Sequence, residues 1–166
     1  MSSEKVEVLA LFSDHRIPDR ELPLADLCKS ARQHGGLPVV AWAPGKWMFS
    51  RGNVVAGALR GEEPEDLLLG DSSLRPGGWS TPALMREGKA RGHEILYGSD
   101  TLPFAGEEVR AGTYGTRVEC AFDRAKPVES LRKGLEDGEI SPVGKRGTLL
   151  TVFSRLLKNE KVRRLS

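Results

Sequence analysis

A regular alternation of short apolar runs with amphipathic segments constrains the fold of this chain more than any other feature. The apolar runs have the length and composition of buried strands and cover residues 6–12, 37–43, 66–70 and 94–98. Between them, apolar residues recur at helical spacing near residues 23–34, 51–60 and 82–92. One helix between consecutive strands predicts parallel pairing with right-handed crossovers, and therefore an α/β fold.

The pattern becomes weaker in the remaining third of the chain. A polar, Gly-rich stretch covers residues 101–116, and we predict a fifth strand at 117–122, a short helix near 128–135 and a final helix from about residue 149. At 166 residues the chain is shorter than the roughly 250 of a full eight-stranded barrel. We therefore expect a shortened, partial β/α barrel or an open, mostly parallel sheet with flanking helices. The predicted domain covers residues 1–126, and residues 127–166 form a C-terminal helical extension that packs on the same domain.

Charge and composition exclude several classes of protein. No apolar run approaches the roughly 20 residues of a membrane-spanning helix, and the first residues lack a signal-peptide core, so we expect a cytoplasmic protein with no membrane partner. Cys28 and Cys120 lie too far apart in sequence to indicate a disulfide framework or a cysteine–zinc site. Residues 145–166 carry seven basic side chains and one acidic one. Either this segment binds nucleic acid or an acidic partner, or it is a solvated terminal helix; the lack of interleaved aromatic residues favours the second.

Polar side chains follow the ends of the predicted strands. In parallel α/β folds these ends converge, so Asp14, Asp71 and Asp100 are expected at one rim of the sheet. Carboxylates together with an imidazole are what a divalent Mn, Zn or Mg ion requires, and we take these three aspartates as candidate metal ligands. Asp100, His15 and Asp14 are the candidate catalytic residues, because a metal-bound water beside them could attack a phosphoryl group. The alternative is that each strand-end aspartate caps the following turn.

Further polar residues of the same loops are candidates for ligand binding. Basic side chains among them could hold a phosphate, and Tyr114 could donate its hydroxyl. The set consists of Lys46, Arg51, Asp71, Arg75, Ser99, Glu107, Glu108 and Tyr114. Trp42, Trp47 and Trp79 also flank strand ends, where an indole either packs over the mouth of the core or stacks on a ligand.

Several of these segments resemble a known family. The series GGLPVVAWAP, DLLLGD and EILYGSD, together with the tail PVESLRKGLEDG, is similar to the later half of the polymerase and histidinol phosphatase (PHP) superfamily, above all to uncharacterised bacterial PHP-like proteins. The resemblance extends from about residue 6 to residue 115. It implies a distorted seven-stranded β/α barrel that binds two or three metal ions and hydrolyses phosphoesters.

The family's metal-binding pattern is incomplete in this chain. Gly98, Ser99 and Asp100 match the Gly-Ser/Thr-Asp-x-His motif, but Leu102 stands at its histidine position, and the family's His-Pro pair is replaced by Ala43 and Pro44. The opening His-x-His motif has no counterpart. Asp100 alone matches a family metal ligand, and the missing imidazoles would weaken metal binding.

Two functions follow as hypotheses. The chain is either a metal-dependent phosphoesterase relative that binds a phosphorylated small molecule, or a non-catalytic ligand-binding or interaction module that has lost the metal-binding histidines. A partial barrel leaves a strand edge to be covered, so we expect a homodimer or a partner chain that completes the barrel. Nucleic acid is not an expected partner.

Overall fold

The computed structural model describes residues 1–14 and 21–165, in which six strands form one open, mixed sheet. The α/β class is therefore confirmed. The strands are β1 (Val8–Leu11), β2 (Leu37–Ala41), β3 (Leu68–Ser72), β4 (Ile95–Gly98), β5 (Tyr114–Val118) and β6 (Ile140–Gly144). The helices are α1 (Leu24–Gln33), α2 (Ser50–Gly61), α3 (Ala83–Ala90), α4 (Pro127–Asp137) and α5 (Leu149–Leu165), with short 3₁₀ turns at Pro64–Asp66 and Glu108–Arg110. The strands lie in sequence order, and β1 and β6 form the two edges.

The centre of the sheet has the predicted parallel arrangement, whereas its first strand does not. Strands β2, β3 and β4 run parallel, but β1 pairs with β2 in the antiparallel direction, with Leu11 opposite Leu37. The reason lies in the connection. The Ser3 amide donates to the Leu22 carbonyl, so the chain has already returned to the starting end of β1 before α1 begins. This extra pass across the sheet reverses the direction of β1 relative to β2.

The last strands also differ from the prediction. Strand β5 begins three residues earlier than expected and is antiparallel to both β4 and β6. The segment 127–166 is not entirely helical, because β6 lies within it and pairs with β5 along its whole length. Since β6 belongs to the same sheet, the C-terminal segment and the first domain share one continuous sheet.

Helices α1, α2 and α3 cover one face of the sheet. Val40, Leu69 and Ile95 are adjacent across β2, β3 and β4, and they form the core together with buried residues of the three helices. Helix α3 lies so close that a Cβ added at Gly88 would stand 2.5 Å from Leu69 Cδ1. His93 fastens the same region, with Nδ1 2.8 Å from the Leu67 carbonyl oxygen. In the part of the chain that is described, none of the helices combines the length and apolar character needed to span a bilayer.

Candidate functional site

The carboxyl ends of β2, β3 and β4 form the upper rim of the sheet, and the three predicted aspartates do not meet there. Asp71 and Asp100 follow from β3 and β4 and lie at this rim. Asp14 follows β1, which runs the other way, so it lies at the opposite end of the sheet. The prediction that Asp14 joins the site is therefore wrong, and the direction of β1 is the cause. His15 lies outside the described residues.

Asp71 is buried in an ion pair. Strand β3 continues to Ser72, so Asp71 lies within the strand rather than after it, and its side chain is completely buried. Arg75 donates from Nε to Asp71 Oδ1 at 2.8 Å and from Nη2 to Oδ2 at 2.5 Å. These hydrogen bonds outweigh the effect of burial and raise the pKa of Arg75. The amide of Ser72 and the hydroxyl of Tyr114 also donate to the Asp71 carboxylate. Asp71 therefore has its acceptor sites occupied by protein donors.

A second buried ion pair links Glu107 to the last helix. Arg155 of α5 donates from Nη2 to Glu107 Oε2 at 2.6 Å and from Nε to both carboxylate oxygens at 3.0 Å. Its Nη1 also donates to the Ser73 hydroxyl, and its Nη2 to the Asp100 carbonyl oxygen. Burial raises the pKa of Glu107, but the hydrogen bonds from Arg155 and the Leu102 amide more than offset it, so the pKa is below its usual value. Helix α5 is thereby fastened over the upper rim.

These contacts decide how well the rim could hold a metal ion. Across residues 1–14 and 21–165, no three His, Cys, Asp or Glu side chains lie together in a group that could hold one. Asp71 is occupied by Arg75, and Asp14 is at the far end of the sheet. The set Asp100, Asp14 and Asp71 therefore does not fit the metal that the PHP resemblance implies. A guanidinium that already neutralises a carboxylate removes the charge that a cation needs.

Asp100 remains exposed at the rim. Its carboxylate accepts a hydrogen bond from the Ser72 hydroxyl at 2.8 Å. The backbone of Asp100 is in the left-handed region, with φ of 46°, a conformation that aspartate tolerates better than most residues do. The carboxylate keeps acceptor capacity for a ligand, because an ionised carboxylate offers about four acceptor positions.

Asp100 and Ser72 stand at one end of a cleft of about 280 Å³. The cleft lies on the sheet face opposite α1, α2 and α3, because its strand residues alternate with those of the core. Its floor is mostly apolar and consists of Leu9, Leu11, Val39, Ala41, Gly70, Leu96 and Gly98. Glu7, Trp42, Asp71, Tyr97 and Thr116 complete the lining. An apolar cleft with a few polar groups at one end is the usual form of a small-molecule site.

The other predicted ligand-binding residues lie near the rim but outside this cleft. Lys46 forms an ion pair with Glu7, and Arg51 donates to the Gly45 carbonyl oxygen at 2.8 Å. The Ser99 hydroxyl accepts from the Gly112 amide. Glu108 is exposed and accepts from the Gly106 amide, which lowers its pKa together with the hydrogen bond from its own amide.

Tyr114 is buried, and its hydroxyl donates to Asp71 at 3.3 Å rather than to a ligand. Burial and the neighbouring Asp71 carboxylate raise its pKa to about 12. The hydroxyl that the sequence offered as a ligand contact is thus part of the Asp71–Arg75 arrangement.

The sequence interpretation missed three residues of the site. Arg155 lay in a segment interpreted as solvated, and its burial depends on a partner 48 positions away. Glu7 reaches the upper rim because β1 runs antiparallel, and nothing in the local sequence indicated that direction. Ser72 was considered only as a strand-end residue, although alternation along β3 separates it from the core-facing Leu69.

Comparison of the chain with protein-family models, with curated proteins and with solved structures finds no match. The case for a function therefore depends on the geometry of the chain itself.

Proposed function

We propose that this protein is a non-catalytic module that binds a small molecule in the cleft on the open face of the sheet. The observation that carries the proposal is the state of the rim carboxylates. Asp71 and Glu107 are both buried against arginines, while Asp100 is exposed beside an apolar floor. Such a rim retains one carboxylate for recognition and lacks the cluster of charges that metal-assisted hydrolysis needs.

The chemistry of the cleft favours a cationic ligand with an apolar body. The charged residues that line it are Glu7, Asp71 and Asp100, all acidic, and Arg75 already neutralises Asp71. A phosphoryl group would meet repulsion from Asp100, whereas an ammonium group would form a charge-assisted hydrogen bond with it. The apolar part of the ligand would cover side chains such as Leu9, which is half-exposed.

This proposal is compatible with descent from the PHP superfamily. The Gly98–Ser99–Asp100 segment supports such a relationship, and the substitutions at Ala43 and Leu102 support loss of the metal site. The alternative, a metal-dependent phosphoesterase, makes an opposite prediction about turnover and is tested in the same experiment.

Cyclohexylmethylamine and its neutral analogue cyclohexylmethanol are suitable probes, with binding measured by isothermal titration calorimetry. We expect the amine to bind at least about tenfold more tightly, since one charge-assisted hydrogen bond contributes roughly 1.5 kcal/mol or more. Asp100→Asn should abolish this difference while preserving the backbone, because asparagine also tolerates a positive φ. In parallel, we expect no hydrolysis of p-nitrophenyl phosphate with Mn²⁺, Zn²⁺ or Mg²⁺.

Glu108→Gln provides the matched control, because it removes an exposed carboxylate from the same loop without altering the lining of the cleft. It should leave amine binding unchanged. Equal binding of amine and alcohol to the wild type would reject the cationic ligand. Metal-dependent turnover that is lost in Asp100→Asn would instead establish the phosphoesterase.

A further inference from the structure

The three tryptophans, separated by up to 37 positions in sequence, come together in a second pocket. Trp42 and Trp47 from the β2–α2 loop and Trp79 from the β3–α3 loop line a space of about 380 Å³. Met48, Pro82 and Leu84 are among the remaining lining residues, and no Asp or Glu of the described chain lines it. Its volume is within the range of sites for small organic ligands. It adjoins the carboxyl ends of β2 and β3, which is where parallel α/β folds bind ligands.

The tryptophans are partly available to a ligand rather than entirely used as core. Trp42 and Trp47 are buried, and the Trp47 Nε1–H donates to the Ala41 carbonyl oxygen at 3.1 Å, which fixes the plane of its ring. Trp79 is 50% exposed. A loop that presents an exposed indole beside two fixed ones provides flat faces on which an aromatic ring can stack.

The surroundings of this pocket are electropositive. Arg51 donates to the carbonyl oxygen of Gly45, which lines the pocket, and Arg86 donates to that of Thr81, beside the lining residue Pro82. Neither arginine has a carboxylate partner within residues 1–14 and 21–165. Both guanidinium groups therefore keep their charge available to a ligand.

Two helices also begin at this pocket. Helix α2 starts two residues after Met48, and Leu84 lies in the first turn of α3. Neither helix has a side-chain cap or an acidic residue in its first turn. The amide groups of a first turn carry partial positive charge, so their field adds to that of the two arginines.

The β3–α3 loop is held in place from within. Arg75, whose guanidinium is paired with Asp71, also donates from Nη1 to the Trp79 carbonyl oxygen at 2.9 Å. The buried ion pair thus positions Trp79 at the mouth of the pocket. On the opposite loop, Phe49 adopts a φ of 56° and is largely exposed, a strained arrangement for a bulky residue.

We propose that the tryptophan pocket binds a planar aromatic molecule that carries an anionic group. The aromatic ring stacks on the indoles, and the anionic group faces Arg51, Arg86 and the first turns of α2 and α3. The anionic group is a carboxylate or a phosphate, as in an aryl carboxylate or a nucleoside monophosphate. This site is separate from the cleft of the proposed function, although Trp42 lines both.

The test uses the indole N–H signals of the three tryptophans in ¹H–¹⁵N spectra of the full chain, titrated with 1-naphthoate, adenosine 5′-monophosphate and neutral 1-naphthylmethanol. We expect at least one of the two anions to shift the indole signals saturably, with a Kd below about 1 mM. Which anion binds more tightly distinguishes the carboxylate from the phosphate source. The neutral compound should bind at least about tenfold more weakly than 1-naphthoate, because it lacks the charge-assisted contacts.

Variants separate the contributions of stacking and charge. Trp79→Ala should weaken binding at least about fivefold, which is the lower end of the effect measured for loss of one stacking residue. The double variant Arg51→Gln, Arg86→Gln should reduce the preference for 1-naphthoate over 1-naphthylmethanol to less than about threefold. Phe122→Ala and Arg117→Gln, which remove exposed side chains outside the pocket, are the matched controls and should change neither value.

Three results would overturn the proposal: no saturable shift with either anion, equal binding of the neutral compound, or unchanged binding by Trp79→Ala. The wild-type comparison of charged and neutral probes does not depend on any variant. Failure here would leave the amine experiment on the sheet cleft unaffected, since Asp100 does not line the tryptophan pocket.

Discussion

The two buried arginine–carboxylate pairs of this protein have similar chemistry but different structural roles. Asp71 and Arg75 are four residues apart, and their contact shapes the loop that follows β3. Glu107 and Arg155 are 48 residues apart, and their contact fastens α5 to the loop that follows β4. The local pair organises a pocket, whereas the distant pair joins the last helix to the rest of the fold. Both keep carboxylates of the upper rim away from ligands.

Replacement of Arg155 should have the largest effect on stability. Arg155→Met leaves Glu107 buried without its main partner and removes the contacts to Ser73 and Asp100. We expect a loss of about 4–5 kcal/mol in the free energy of unfolding, because breaking one partner of a buried ion pair strands a charge away from water. Urea denaturation followed by circular dichroism measures this loss.

Arg163→Met is the control for that experiment, since it removes an exposed arginine of the same helix whose contact to Glu160 is 3.6 Å. Its cost should be below about 1 kcal/mol. If the two variants were equally stable, α5 would not be held by the distant pair, and the contrast between the two pairs would be wrong.

Replacement of Arg75 should cost less and should also change the tryptophan pocket. In Arg75→Met, Asp71 still accepts from the Ser72 amide and the Tyr114 hydroxyl, so we expect a loss of about 3 kcal/mol. The contact to the Trp79 carbonyl disappears as well, and the indole signal of Trp79 should shift. Arg155→Met should leave that signal in place. An unaltered Trp79 signal in Arg75→Met would show that the local pair does not position this loop.

The sequence predicted the parts of the fold that depend on local pattern. Amphipathic spacing identified α1, α2 and α3, and apolar runs identified β1 to β4 within about two residues. The direction of β1 could not be predicted, because it depends on how often the chain crosses the sheet before α1. Strand β6 was missed because it is short, largely exposed and contains Pro142, so it lacks the apolar alternation of a strand.

The candidate site was predictable to a similar, local extent. The positions of Asp71 and Asp100 at the rim followed from the parallel strands β3 and β4. Their availability did not follow, because burial of Asp71 depends on the exact end of β3, and strand ends are uncertain by a few residues in any pattern. The roles of Glu107 and Arg155 depend on a contact between distant segments, and a basic helix looks the same in sequence whether or not one of its arginines is buried.

The smallest expected effect concerns the hydroxyl that supports the local pair. Tyr114→Phe removes one donor to Asp71 and should cost about 1 kcal/mol at pH 7. Because the pKa of Tyr114 is raised to about 12, the folded chain keeps this proton between pH 10 and 12, where the unfolded chain releases it. The stability that Tyr114 contributes is therefore complete below pH 10 and is lost as the pH rises toward 12. Urea denaturation of both proteins at pH 8 and pH 11 should show the difference between wild type and Tyr114→Phe narrowing at the higher pH. A difference that stays constant or widens would mean that the folded state does not hold this proton, and that the local pair, like the distant one, depends on arginine alone.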